Sequence, residues 1–174
     1  MKPIEKSLRE TQNYCVAAPR RIRLDVIDKK LLNLLQRDSA RSLYELGDAV
    51  GLSPSAVQRR LEGHRRSGLI KREIVVLDAE ALSGMVLACV LVSLERDAKR
   101  LHSGFQERMR AASEVQQCYD VSGDWDYLVI LVTDGMAHCR AVVEDLFLDA
   151  PNIKRYSTLF VFGVVKSGLH IPLR

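Results

Sequence analysis

Between Asp25 and Ser67 the apolar residues recur at helical intervals in three short groups. Ile27, Leu31, Leu34 and Leu35 form the first stripe, and Asp25 just ahead of it is a helix N-cap, because its carboxylate accepts from the free amide hydrogens of the first turn. Leu43, Leu46 and Val50 form the second. Ser42 opens it with Glu45 three residues on, the reciprocal pair of a capping box, and Gly51 closes it in a left-handed conformation that residues with a Cβ avoid. Ser53-Pro54 opens the third group, Val57, Leu61 and His64, with serine as cap and proline at the first helical position; Gly68 ends it after Ser67. Three short helices, the last two joined by Gly51-Leu52-Ser53, predict a helix-turn-helix. The Ile- and Val-rich stretch 69–77 reads as a strand, which makes it a winged one.

From Met85 the period changes. Strands are expected over 86–94, 115–122, 127–133 and 153–166, with helices over 97–112 and 135–149. Ala98, Leu101, Phe105, Met109 and Ala112 stripe the first of these helices; Met136, Cys139, Val143, Leu146, Phe147 and Ala150 stripe the second. The order strand, helix, strand, strand, helix, strand is the ferredoxin-like βαββαβ arrangement with an antiparallel sheet, so the fold class is α+β. The expected organisation is a flexible extension over 1–22, a DNA-binding domain over 23–77, a linker over 78–84 and an effector-binding and oligomerisation domain over 85–174. Two helices cover one face of a four-stranded sheet, yet VLACVLV, LVILV and LFVFGVV are apolar on both faces. The uncovered face predicts a homodimer, the same sheet of a second copy being the simplest cover.

Charge divides along the chain in the same way. Residues 1–72 carry 16 Lys and Arg against 8 Asp and Glu, whereas residues 73–174 carry 10 against 14. A basic first half suits a polyanion such as double-stranded DNA, since Lys and Arg at phosphates release condensed counterions; the acidic second half does not. The longest apolar run, 85–92, is far too short to cross a bilayer, and nothing near Met1 reads as a secretory signal, so the expected location is the cytoplasm with no membrane partner. Cys15, Cys89, Cys118 and Cys139 stand singly, without CxxC pairs or histidines at ligand spacing, so no metal, cofactor or catalytic residue is assigned.

On the third helix the inward stripe leaves Ser55, Gln58, Arg59, Glu62, Arg65 and Arg66 facing outward. Glutamine pairs bidentately with adenine and arginine with guanine, which makes Ser55, Gln58 and Arg59 the candidate base readers. Arg65, Arg66, Lys71 and Arg72 lie further along, where phosphate contact is expected, and Ser53 stands at the helix start facing the same duplex. Arg20, Arg21 and Arg23 are further candidates for the backbone. His64 reads as core. In the second half, Ser122-Gly123-Asp124-Trp125-Asp126-Tyr127 is the polar break in an apolar stretch. Gly123 suits the first position of a two-residue type II′ turn, and Asp124 or Asp126 can take an ammonium group; the competing reading is a purely structural Asx turn with Trp125 packed locally.

Over roughly residues 22–174 the chain resembles the Lrp/AsnC family of feast/famine regulators. The resemblance is carried by LDVIDKKLLNLLQRDSARSLYELGDAVGLSPSAVQRRLEGHRRSGLI (24–70), SGDWDYLV (122–129) and VVKSGLHIPL (164–173). It implies a winged helix-turn-helix joined to a ferredoxin-like effector domain that dimerises through its sheets, assembly of dimers into tetramers or octamers, and an amino acid bound where dimers meet. Gly123, Asp124 and Asp126 match the family's Gly-Asp-x-Asp-Tyr turn and so become effector-site candidates. Tyr156 and Thr158 match a Thr-x-Thr-like position only in part, Tyr156 replacing a small residue. Two positions depart from the pattern: His64 stands where a large aliphatic residue is usual, and Gly63, which costs about 0.5–1 kcal/mol relative to alanine in mid-helix, predicts a softer or earlier end to the reading helix. The implied function is an effector-responsive, sequence-specific transcription regulator. An architectural DNA-bridging protein and a sirohaem-decarboxylase-like enzyme of the same layout are the alternatives; the basic outward helix and the unclustered His64, His102, His138 and His170 speak against the enzyme.

Overall fold

The computed structural model describes residues 22–78, 81–95, 99–148 and 150–174. Residues 1–21 of the extension expected over 1–22, Cys15, Arg20 and Arg21 among them, and Ala98 lie outside the described residues. Two compact units result: the first runs to Ile74 and takes in Leu169–Arg174, and the second is Val75–Gly168.

The first unit has α1 (Val26–Arg37), α2 (Leu43–Val50) and α3 (Pro54–Arg66). Each start is fixed by the cap that the sequence announces. Asp25 accepts from the Asp28 amide at 2.7 Å while the Asp28 side chain accepts from the Asp25 amide at 3.2 Å, a second capping box beside that of Ser42 and Glu45. Ser53 caps α3 with Pro54 behind it. Gly51 sits at φ +72°, as its place after α2 requires. Leu31, Leu46, Val57 and Leu61 form the core, each burial contributing about 1.5–3 kcal/mol. The turn itself depends on Gly47: a Cβ there would stand 2.5 Å from the Leu52 carbonyl oxygen, so α2 can approach the turn only with a glycine at this position. Gly63 does not shorten α3, which continues through Arg66.

The strand expected over 69–77 does not form; residues 71–78 have no regular structure, and Val75 and Val76 are almost fully exposed. The cause is the missing neighbour, since a strand exists only where another satisfies its N–H and C=O groups, and no described segment does so.

The second unit contains β1 (Met85–Leu94), α4 (Lys99–Ala111), β2 (Val115–Asp120), β3 (Tyr127–Asp134), α5 (Gly135–Val143) running into one π-type turn (Glu144–Leu148), and β4 (Ile153–Phe160). The sheet is antiparallel in the order β2-β3-β1-β4. β4 stops at Phe160 rather than reaching 166: its last pair with β1, its neighbour, is Phe160 with Ala88, and beyond that pair β1 supplies only the Leu87 carbonyl, to Val161. Alternation then sorts the strands. Ala88, Val90, Val92, Tyr127, Val129 and Leu131 are buried beneath Phe105, Met109, Cys139, Leu146 and Phe147 of the helices. Met136, expected in that stripe, is instead exposed. The opposite face carries Leu87, Cys89, Leu91, Leu128, Ile130 and Val132, paired across the strands. It remains half-covered.

Candidate nucleic-acid interface and effector site

Helix α3 presents the two faces that its periodicity demands. Val57, Leu61 and His64 are buried, while Ser53, Ser55, Gln58, Arg59, Glu62, Arg65 and Arg66 are exposed, as are Lys71 and Arg72 just beyond. The orientation of α3 is held by a buried carboxylate that the sequence reading missed. Asp28 of α1, 8% exposed, accepts from Arg60 Nη1 at 2.8 Å and lies 3.1 Å from His64 Nε2; Asp25 accepts from the same arginine nitrogen at 2.8 Å. An ionised carboxylate can only accept, so the His64 ring carries its proton on Nε2 when it pairs with Asp28. Burial by itself pushes the Asp28 carboxyl up, but the hydrogen bonds from Arg60, His64 and the Asp25 amide, with the Arg60 charge, outweigh it and hold the group below its ordinary value. His64 is therefore core in position but polar in role.

This arrangement changes the account of the positive face. Arg60 is committed to Asp25 and Asp28. Arg65 meets Glu73 at 2.6 Å, an exposed pair that salt screens and a phosphate can replace. Gln58 donates to Glu62 at 3.0 Å along the helix, which stretches its amide across the outward surface. Among the described residues Arg59 and Arg66 have no ion-pair partner, leaving them, Lys71 and Arg72 as the open cations.

The effector candidates divide into two groups. Strands β2 and β3 are joined by a longer loop than a two-residue turn: Val121 N–H donates to the Asp126 carbonyl, and Ser122–Trp125 lie between them. Gly123 takes φ +128°, a region that only glycine enters without strain. Asp126 is structurally engaged, its carboxylate accepting from the Leu94 amide at 2.7 Å while its own amide donates to the Val92 carbonyl. Arg155 of β4 braces the loop, donating to the Asp124 carbonyl at 3.2 Å with its guanidinium 4.3 Å above the Trp125 ring. The Asp124 carboxylate remains exposed, with no partner among the described residues. Tyr156 and Thr158 belong to the other group. They pair with Val92 and Val90 on the helix-facing side of β4, where Tyr156 meets Phe147 at 5.9 Å and the buried Thr158 hydroxyl has no hydrogen-bond partner among the described residues. A cavity of about 390 Å³ lies elsewhere in the unit, lined by Glu114, His138 and Asp145 among others, and none of the five candidates borders it.

Comparison with known proteins decides the family. Residues 24–62 match the AsnC-type helix-turn-helix domain and residues 87–170 the Lrp/AsnC ligand binding domain. An uncharacterized HTH-type transcriptional regulator, y4tD of Sinorhizobium fredii, is 33% identical over 86% of this chain and 89% of its own length. The leucine-responsive regulatory protein of Escherichia coli is 31% identical over 87% and 92%. The chain belongs to the Lrp/AsnC family of transcriptional regulators.

Solved structures agree with this assignment. An AsnC family transcriptional regulator from Agrobacterium tumefaciens superposes with a TM-score of 0.78 at 28% identity, covering 86% of this chain and 97% of its own. A Neisseria meningitidis transcriptional regulator in complex with L-Met gives 0.78 at 29% identity, with the same coverage. This Lrp/AsnC regulator thus belongs to a group of DNA-binding regulators, not of enzymes, and carries a helix-turn-helix domain and a ligand-binding domain. Cys139 is buried, and burial first, then the Asp120 charge, pushes the Cys118 thiol up to about 11. Among the described residues no group of His, Cys, Asp and Glu is arranged to hold a metal, and no helix is long and apolar enough to cross a membrane.

Several features of the Lrp/AsnC regulator escaped the sequence reading. Asp25 and Asp28 stand three apart at a helix start, and Arg60 falls on the flank of the Val57–Leu61–His64 stripe, so spacing carried that signal. His102, buried on α4, lies 2.7 Å from the Tyr127 hydroxyl, to which Gln106 also donates; only three-dimensional neighbourhood brings these together.

Proposed function

We propose that this regulator binds chosen DNA sites as a homodimer and changes that binding when an amino acid occupies its second unit. The observation that carries the DNA reading is the outward face of α3, where Ser55, Gln58 and Arg59 stand exposed on a helix anchored from behind by Asp28. Arg59 and Gln58 address base edges in the major groove, with Ser55 beside them at the helix start. Ser53, Arg65, Arg66, Lys71 and Arg72 meet phosphates, which fixes register without reading sequence. The half-covered apolar face of the sheet supports the dimer, larger assemblies being further stages of the same association.

For the effector, the Neisseria relative solved with L-Met supports an amino acid as the ligand class. Asp124 offers an exposed carboxylate with no partner among the described residues to an ammonium group, and Gly123, at φ +128°, keeps the adjoining backbone free of side-chain bulk. Asp126 acts by bracing the loop through the Leu94 amide, while Tyr156 and the unpartnered Thr158 hydroxyl contribute from the inner side of β4. The test is a screen of the amino acids by thermal shift, since a ligand that binds only the folded state raises the melting temperature by mass action. We expect at least one amino acid to raise it in the wild type and to lose that effect in Asp124→Ala. An unchanged melting temperature with every amino acid, or an undiminished shift in the variant, contradicts the effector reading.

A further inference from the structure

The last residues of the sequence do not stay with the strand they follow. β4 ends at Phe160, yet Leu169–Arg174 belong to the first unit, where they lie along α1. Asn33 and Gln36 stand three residues apart, hence on one face of that helix, and each grips one tail residue in both directions. Asn33 Nδ2 donates to the Leu173 carbonyl at 2.8 Å, and the Leu173 N–H donates to Asn33 Oδ1 at 3.2 Å. Gln36 Nε2 donates to the Ile171 carbonyl at 3.0 Å, and the Ile171 N–H donates to Gln36 Oε1 at 2.8 Å.

A primary amide sets a donor and an acceptor side by side, as one edge of an extended chain does at alternate residues. Pro172 fits between the two grips, because the N–H of the intervening residue would point away from α1 and its loss costs nothing. Leu169 and Ile171 leave their side chains in solvent, 64% and 66% exposed, and Leu173 alone of the segment is partly buried, so backbone pairing holds the tail more than apolar burial does. A few partly exposed hydrogen bonds leave the docked and released states close in free energy, which is what a biasable two-state element requires.

The helix that receives the tail is also the one whose Asp25 and Asp28 hold α3 through Arg60 and His64. With the tail docked, the chain joins the two units twice, through the residues after Ile74 and through those before Leu169; released, it joins them once. We propose that the Asn33–Gln36 face of α1 is a docking site for an extended peptide backbone, that its occupant is the chain's own 169–174 segment, and that its release is the step through which the effector changes DNA binding. The last part rests on the effector reading above; the docking does not.

The experiment is hydrogen exchange on the full-length protein without ligand, followed by DNA titrations with and without the amino acid that gives the largest thermal shift. We expect the Ile171 and Leu173 amides to be protected, and Asn33→Ala/Gln36→Ala to cut that protection by at least about tenfold. The same double variant should still bind DNA but lose most of the ratio between affinities measured with and without the amino acid. Wild-type amides at 171 and 173 that exchange as in an unstructured peptide overturn the docking site. Protected amides with an undiminished ratio in the double variant overturn the switch. If no amino acid alters wild-type DNA affinity, the effector reading fails and the switch with it, while protection at Ile171 and Leu173 still decides the docking.

Discussion

At the scale of single residues, the Asp28 carboxylate meets three partners while only 8% of the residue is exposed. Its carboxylate closes the α1 cap, takes the Arg60 guanidinium and meets the His64 ring, so its ionised form is the form the fold selects. Because its folded value lies below the ordinary one, the stabilisation is fully present above the usual carboxylate range and disappears as pH falls through that range and below it. Asp28→Asn should therefore cost about 1–3 kcal/mol at neutral pH and progressively less below about pH 4. Thermal unfolding across that range reads this directly; a pH-independent difference would show that charge is not the cause. Gly47→Ala sets a Cβ against the Leu52 carbonyl, and we expect a loss of about 1–3 kcal/mol, against a gain of about 0.5–1 kcal/mol for Gly63→Ala, a mid-helix position whose Cβ meets nothing within 4 Å. Equal effects of the two alanines would contradict the close approach. Caps, the positive-φ glycine at 51 and the buried stripe of α3 were legible because each is a local rule written in neighbouring residues. Arg60 was not singled out, because its partners lie more than thirty residues away.

At the scale of elements, α3 was readable to its ends and β4 was not. A helix satisfies its own backbone, so caps and period suffice to bound it. A strand is bounded by its pairing with a neighbour, and 153–166 carries apolar residues past Phe160, the last position paired with β1. The same reason removes the strand expected over 69–77. In the sheet, alternation told which residues share a face but not that Tyr156 and Thr158 would turn inward while Asp124 stays in the loop. Of the outward cations, Arg66 has no ion pair among the described residues and lies at the far end of α3 from Ser55, Gln58 and Arg59. Arg66→Ala should weaken specific and random DNA alike and reduce the slope of log affinity against log salt by about 1, as loss of one phosphate contact does. A slope equal to wild type would place Arg66 away from the backbone.

At the scale of the whole molecule, the apolar sheet face of Leu87, Leu91, Leu128 and Ile130 is the feature that a single copy leaves unexplained. Ile130→Lys sets a charge on that face without touching the helix-covered core, so sedimentation should shift from at least twice 19.6 kDa toward a single chain. An unchanged mass would move the association elsewhere. On the proposed homodimer two copies of α3 would meet one duplex, and the expected half-sites are one helical turn, or a multiple of it, apart. The central claim concerns what each reading helix recognises, and the most direct measurement is Arg59→Ala against wild type on DNA selected from a random pool and on unselected DNA of the same length. We predict a loss of about 1–3 kcal/mol on the selected site with relaxed preference at one or two base positions, and a clearly smaller loss on unselected DNA. Equal losses on both would contradict Arg59 as a base reader.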